Sequence, residues 1–248
     1  MSVKSYREYV ADTAWQEGYV AYQGRYVESP RESDKQLVEI VREVGGVEGG
    51  LRVLDVGCST GNLFRLLSRE LAPSLSLSGC DLAEEGLTQA GVDPDLAHVA
   101  FSTRDVTDLG YEAEFDVVTC SALLYLLAED ELYAALRSIN AALAPGGALV
   151  VWDLFSPFEQ ELSVVERSGS HPEGLPIRVR SYQSMELACY SAGFSSSEFR
   201  PFEIPVELGP PQGMADVSSY TVDTEDHGRL IFRGAFLQPW CFLIARKG

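Results

Sequence analysis

The 248-residue chain is poor in basic side chains: Lys and Arg total 19 against 37 Asp and Glu, a formal net charge of −18. Nucleic-acid binders neutralise phosphates with clustered cations, and a chain this acidic steers polyanions away, so no DNA or RNA partner is expected. Histidine is scarce, with three in all (His98, His171 and His227), and the five cysteines (Cys58, Cys80, Cys120, Cys189, Cys241) are scattered without a CxxC pair. No His, Cys and Asp cluster has ligand spacing, so neither a metal nor a redox centre is expected. Three of the cysteines lie in apolar strand-like runs, where the thiol acts as a small hydrophobe. This usage points to a reducing, cytoplasmic setting. Long apolar runs are also missing. Ala148–Trp152 and Trp240–Ala245 are among the longest and are far too short to cross a bilayer, so no membrane partner is expected. The polar and aromatic opening MSVKSYREYV lacks the apolar stretch of a secretory leader.

What is present is a packed α/β pattern. Hydrophobic residues make up 46% of the chain, enough for a sizeable core. Residues 1–44 read as helical, with aromatics at Tyr6, Tyr9, Trp15, Tyr19, Tyr22 and Tyr26, a break at Pro30, and Ser33 as cap of a second helix over Asp34–Val44. Short apolar runs then alternate with amphipathic helices. Strands are predicted at Leu51–Val56, Leu75–Cys80, Val99–Ser102, Phe115–Cys120 and Ala148–Trp152, the last after a sharp Pro145-Gly146-Gly147 turn. Helices are predicted at Asn62–Leu71, Ala83–Ala90 and Glu129–Leu143. Continuous apolar strands alternating with helices imply a parallel sheet covered on both faces. A helix over Ser184–Ala192 ends at Gly193, and strands at Ser196–Phe202 and Pro239–Ala245 complete the sheet. Residues 218–223 and 229–235 flank a turn at 224–228 as a β-hairpin. Residues 154–182, with three prolines, read as an irregular segment. The expected fold is a Rossmann-like, doubly wound, seven-stranded and mostly parallel sheet, with an N-terminal helical cap and a C-terminal hairpin insertion.

The most informative stretch runs from Val53 to Leu63. A buried strand ends in the turn Gly57-Cys58-Ser59-Thr60-Gly61, which opens a helix at Asn62. Glycine lacks Cβ, so such a turn lets backbone approach a ligand closely. Twenty residues beyond Gly61, the second strand ends at Asp81, where a carboxylate can accept from both ribose hydroxyls. Asp105 follows the third strand and can accept from an adenine amino group. The dinucleotide fingerprint G-x-G-x-x-G fails, because counting from Gly57 the third position is Ser59 and the sixth Asn62. Asp55 suits an ammonium-bearing ligand better than a pyrophosphate.

These residues resemble the class I S-adenosylmethionine-dependent methyltransferases of small-molecule type. Val53–Gly61 is similar to their motif I, with Ser59 in place of the middle glycine. Asp81 with Leu82 resembles the ribose acid and its adenine neighbour, and Asp105-Val106 the adenine-edge pair. Phe115-Asp116-Val117-Val118 and Cys120 to Tyr125 resemble motif IV. Leu143 to Gly147 resembles the L-x-P-G-G turn, and Ala192-Gly193-Phe194 the AGF before strand six. The resemblance implies S-adenosylmethionine as cofactor, with S-adenosylhomocysteine as product. It implies cofactor contacts from Asp55, Gly57, Cys58, Ser59, Gly61, Asn62, Asp81, Leu82, Asp105 and Val106. Ser121 and Leu124 are expected near the methionine moiety, and Tyr22, Tyr26 and Arg31 near the cofactor carboxylate.

On the substrate side, Tyr125, Asp153, His171 and His227 are the pocket candidates for catalysis, with Arg180, Tyr182, Tyr220, Arg233 and Trp240 as further lining. The chain reads as one domain over 1–248: a cap or lid over 1–44, a cofactor-binding core over 45–153, and a substrate-side segment over 154–248. The expected reaction is metal-independent, in-line methyl transfer to O, N, S or C of a small molecule. Two alternatives stand beside it: a domain that binds S-adenosylmethionine without turnover, and a nicotinamide-dependent oxidoreductase. Cys120-Ser121-Ala122-Leu123 is not the Asn/Asp-Pro-Pro-Tyr of base-methylating relatives, so base amino methylation is disfavoured.

Overall fold

A computed structural model of the chain describes residues 3–45, 50–71, 75–207, 219–226, 228–233 and 236–248. His227, one of the pocket candidates, lies outside them. Three helices come first: α1 (Tyr6–Val10), α2 (Thr13–Gln23) and α3 (Glu32–Gly45). The alternating core follows as β1 (Arg52–Val56), α4 (Asn62–Leu71), β2 (Ser76–Asp81), α5 (Glu84–Val92), β3 (Val99–Thr103), β4 (Phe115–Ser121), α6 (Glu129–Ala142) and β5 (Leu143–Ser156). The last part comprises β6 (Leu162–Glu166), β7 (Leu175–Ser181), α7 (Tyr182–Ser191), β8 (Phe194–Pro201), β9 (Ser219–Thr224), β10 (Gly228–Arg233), β11 (Phe236–Leu237) and β12 (Trp240–Lys247).

Seven strands form the main sheet in the order β3-β2-β1-β4-β5-β12-β8. Neighbours from β3 to β5 are parallel, and β12 runs antiparallel to both β5 and β8. The chain lays β2 and β3 on one side of β1, then crosses to β4 on the other. That reversal opens a crevice beyond the carboxyl ends of β1 and β4, where doubly wound sheets bind ligands. Alternate side chains along each strand serve opposite faces. Leu54, Val118, Leu149 and Leu243 pack in one core with Leu132, Leu136 and Ile139 of α6 and Met185 of α7. Val53, Val117, Val150 and Ile244 pack in the other with Leu37, Val38 and Val41 of α3 and Phe64 and Leu67 of α4.

The local chemistry explains the helix ends. Ser5 and Glu8 form a capping box on α1, the Ser5 amide donating to the Glu8 carboxylate at 2.7 Å, and Asp12 caps α2 by accepting from the Trp15 amide at 3.2 Å. Ser181 caps α7, and Gly193 leaves it at φ +98°. Three expectations need correction. Ser33 is not a cap, because α3 already begins at Glu32 and Ser33 is buried in its first turn. Residues 154–182 are not irregular. β5 runs on to Ser156, and β6 and β7 pair antiparallel, with β7 touching β5 only through Phe155 and Ser156. Pro176 is tolerated where β7 has only β6 beside it. The Pro145-Gly146-Gly147 turn is a bulge inside β5: Phe115 pairs with Leu143 while Val117 pairs with Ala148, and Gly146 takes φ +76°. The hairpin of β9 and β10 gains β11 as a third strand.

Candidate cofactor site

At the end of β1 the backbone enters the left-handed region three times, at Gly57 (φ +77°), Ser59 (φ +49°) and Gly61 (φ +74°). Serine therefore adopts the conformation that glycine would take at the middle position, at a cost of roughly 1–2 kcal/mol. The Cys80 carbonyl of β2 accepts both the Gly57 and Cys58 amides, at 2.8 and 3.1 Å, and fixes the turn to the sheet. Two glycines that sequence reasoning overlooked make room for it. A Cβ on Gly79 would sit 2.8 Å from the Cys58 sulfur and 2.7 Å from the Phe64 ring. A Cβ on Gly86 of α5 would meet the Ser59 backbone at 3.0 to 3.2 Å. Glycine in a strand or helix interior was the available signal.

Two carboxylates flank this turn. Asp81 accepts the Ser59 amide on Oδ2 at 2.8 Å and the Ala83 amide on Oδ1 at 2.9 Å. Its acidity is weakened by burial, against the pull of those amides. Two oxygens offer about four acceptor directions, so the carboxylate keeps capacity on each for a vicinal diol. Asp55 is buried, and its one hydrogen bond among the described residues comes from the Thr119 hydroxyl at 2.7 Å. Burial pushes its pKa up to about 7, the Thr119 bond opposes the rise, and the charges of Asp34 and Asp81 add to it. Asp105 is placed differently from the expectation. The Arg7 guanidinium of α1 grips it with both terminal nitrogens, and Thr107 donates its amide and hydroxyl to Oδ1 at 3.0 and 2.8 Å. Arg7 Nε also reaches Glu131 at 3.0 Å. Val106 is buried in the core, and Leu82 is half-buried beside Asp81.

The N-terminal helices bring a third group to the turn. The Asn62 amide donates to the Gln23 carbonyl at 3.0 Å, and Arg31 donates to Oε1 of Gln23 at 2.7 Å. The Arg31 guanidinium lies 3.8 Å from the centre of the Tyr26 ring, whose hydroxyl bonds that of Tyr22 at 2.9 Å. Tyr19, absent from the sequence-predicted site, stacks on Trp15 with ring centroids 5.1 Å apart and feels the charges of both Arg31 and Asp81. Its signal was the spacing of Trp15, Tyr19 and Tyr22, which places three aromatics along one side of α2, with Tyr26 in the turn that follows.

After β4, Ser121 is half-buried and pairs with Trp152. Leu124 is fully buried in the core, and the neighbouring Leu123 reaches the turn, with Cδ2 3.3 Å from where a Gly57 Cβ would be. Asp153 is likewise not a pocket wall. It is completely buried and accepts the amides of Leu123 and Tyr125, both at 3.2 Å, and its own neighbour Leu154 at 2.6 Å. Burial raises its pKa to about 6. Arg180 complements it from β7, donating to the carbonyls of Leu124 and Leu127 at 2.9 and 2.7 Å. Together they hold the 123–127 loop that presents Tyr125. His171 packs against the rings of Tyr9 and Trp15, with centroids 5.0 and 5.6 Å away, and burial lowers its pKa.

The donor set fits a nucleoside with an amino-acid tail: a diol acceptor at Asp81, an anion at Asp55 for an ammonium, and a cation at Arg31 for a carboxylate. The Thr60 hydroxyl is also buried in the turn, without a partner among the described residues. Residues 53–147 match the family model described as a methyltransferase domain. Residues 53–147 thus form a class I, S-adenosylmethionine-dependent methyltransferase domain. Among curated proteins it is 33% identical over 130 residues to a ubiquinone/menaquinone biosynthesis C-methyltransferase of Pseudomonas paraeruginosa, covering 49% of this chain and 48% of the relative. It is 28% identical over 137 residues to a malonyl-[acyl-carrier protein] O-methyltransferase of Bacillus cereus, covering 55% and 48%. The chain thus spans about half the length of the curated relatives it matches. In solved structures, it resembles the 1,6-didemethyltoxoflavin-N1-methyltransferase of Burkholderia thailandensis, which holds S-adenosylhomocysteine, with TM-score 0.59 and 17% identity over 100% of this chain and 92% of that one. At that identity the likeness shows the fold. The crevice of the doubly wound sheet lies beyond the strand ends that carry Asp55, Asp81 and Ser121. No helix among the described residues is long and apolar enough to cross a membrane.

Proposed function

We propose that this protein transfers a methyl group from S-adenosylmethionine to O, N, S or C of a small-molecule acceptor, without a metal, by in-line displacement. The observation that carries this reading is the left-handed Gly57–Gly61 turn, with Asp81 bonded to its Ser59 amide at the switch point of the sheet. When bound, S-adenosylmethionine supplies a methyl on a sulfonium that is its own activated leaving group.

The protein's part is to bind, orient and exclude water. Asp81 would hold the ribose hydroxyls, with Gly57, Cys58, Ser59, Gly61 and Asn62 forming the cradle and Leu82 and Val106 near the adenine. Asp105 keeps only the free capacity of Oδ2 for an adenine amino group while Arg7 holds it. Asp55 would balance the ammonium, and Arg31 with Tyr26 the carboxylate. Ser121 and Leu123, with the Leu124 backbone, would border the methionine side. Residues 1–44 would close over the site as a cap, and 154–248 would supply the acceptor side of a single domain. A small acceptor is supported by the names of the relatives, which include a quinone-biosynthesis enzyme and a toxoflavin N-methyltransferase.

Calorimetry with S-adenosylhomocysteine and, separately, NADH tests the reading. Heat with the first alone is expected; heat with NADH alone overturns it. Binding followed by no methyl transfer to any member of an acceptor panel would replace the enzyme with a binding module.

A further inference from the structure

An aromatic corner stands beside the cofactor crevice. Ser121, at the end of β4, pairs across the sheet with Trp152 of β5. Trp152 stacks on Trp240 of β12 with centroids 4.0 Å apart and planes 8° from parallel. Tyr125, held by the loop bonds to Asp153, then meets Trp240 at 6.1 Å and 85°. Two rings set at a right angle offer an edge and a face to a flat molecule.

The polar groups of this corner are incompletely used. Arg233 of β10 reaches Glu166 with Nη2 at 3.3 Å, yet its Nε is buried without a partner among the described residues. The indole Nε1 of Trp152 is also buried, with no partner among the described residues. Ile231 of β10 packs in the cluster that Trp152 and Trp240 also join, and Arg233, two residues on, shares its face of the strand, which brings the ion pair to the same corner. A buried N–H left unpaired is costly, and native proteins rarely keep one unless something else fills it. Both orphans are donors, so the missing group is an acceptor; a cation would leave both unsatisfied.

We infer that the methyl acceptor is a planar aromatic molecule that packs in the corner of Tyr125 and Trp240 and offers an oxygen to the Nε–H of Arg233. The inference rests on the methyltransferase reading above, since the corner is an acceptor site only if the cofactor lies at the neighbouring strand ends. It narrows the acceptor from any small molecule to a flat ring bearing a carboxylate or carbonyl oxygen.

The test uses the full chain saturated with S-adenosylhomocysteine and three probes in saturation-transfer and titration NMR: benzoate, benzamide and cyclohexanecarboxylate. Benzoate and benzamide are expected to bind about three- to tenfold tighter than the saturated acid, the range that aromatic contacts supply beyond burial. Trp240→Leu should erase that preference, and Arg233→Met should weaken both aromatic probes about tenfold while S-adenosylhomocysteine binding is unchanged. Equal affinity for ring and saturated probes on the unmodified protein overturns the inference without relying on any variant, as does tighter binding of benzylammonium. Failure of S-adenosylhomocysteine to bind sinks the cofactor reading itself. Normal cofactor binding with indifferent probes removes only the aromatic acceptor.

Discussion

Arg7 and Asp105, 98 residues apart in the chain, are joined by a two-pronged ion pair that ties the first helix to the loop after the third strand. The same guanidinium reaches Glu131, so one side chain fastens the N-terminal cap to two elements of the core. All three partners are about one-third exposed, and solvent screens the pair. Arg7→Ala should therefore leave global stability nearly unchanged while loosening the cap. Amide exchange in α1 is expected to rise about five- to tenfold, since charge-assisted bonds of this kind hold local structure by about 1 kcal/mol. Unchanged exchange in Tyr6–Val10 would show that the hydrophobic contacts of Tyr6 and Tyr9 alone hold the cap.

Asp81→Ala should weaken S-adenosylhomocysteine binding at least tenfold. The substitution removes an acceptor for two hydroxyls, each bond worth about 1.5–3 kcal/mol when one partner is charged. It also releases the Ser59 amide. Asp81→Asn separates the two effects, because its carbonyl oxygen can keep the Ser59 bond. Isothermal titration reads both variants, and an unchanged affinity in Asp81→Ala would falsify the ribose assignment.

The buried acids set a pH dependence of definite sign. Asp55 binds a proton more tightly folded than unfolded, its pKa rising from 3.8 to about 7, and Asp153 shifts in the same direction to about 6. Their contribution to stability is complete below about pH 4 and is lost as pH rises through 6 to 7. The cofactor-free protein should lose thermal stability between about pH 4 and 7, and Asp55→Asn should flatten much of that slope. Cofactor binding should run the other way, tightening with pH up to about 7 as Asp55 becomes the anion an ammonium needs. A pH-independent melting temperature in the unmodified protein would contradict the buried carboxylates.

Gly86→Val should damage binding through packing alone. A Cβ there already meets Ser59 backbone atoms at 3.0 to 3.2 Å, and two further methyls must push α5 from the turn. A loss of about tenfold in S-adenosylhomocysteine affinity, with retained helical circular dichroism, is expected. Ser59→Gly, by contrast, should keep affinity and match or slightly exceed the parent's stability. Relief of left-handed strain, roughly 1–2 kcal/mol, is offset in part by glycine's greater unfolded freedom. A large loss in Ser59→Gly would mean that the serine hydroxyl itself does work at the site.

Much of this molecule was legible in one dimension. Strand and helix periods give the alternating core; Gly57 and Gly61 mark the turn, whose backbone takes positive φ there, and Asp55 and Asp81 fall where β1 and β2 end. What could not be read is whatever depends on distant chain segments meeting. The partner of Asp105 is an arginine near the N-terminus, and the burial of Asp153 beneath Leu123 and Tyr125 follows from a loop folding back over β5. The pairing of β6 with β7 hides behind three prolines because only the edge position of Pro176 makes it harmless. Local chemistry is written residue by residue, whereas charge pairing and burial are properties of the packed chain, and those only the tertiary structure decided.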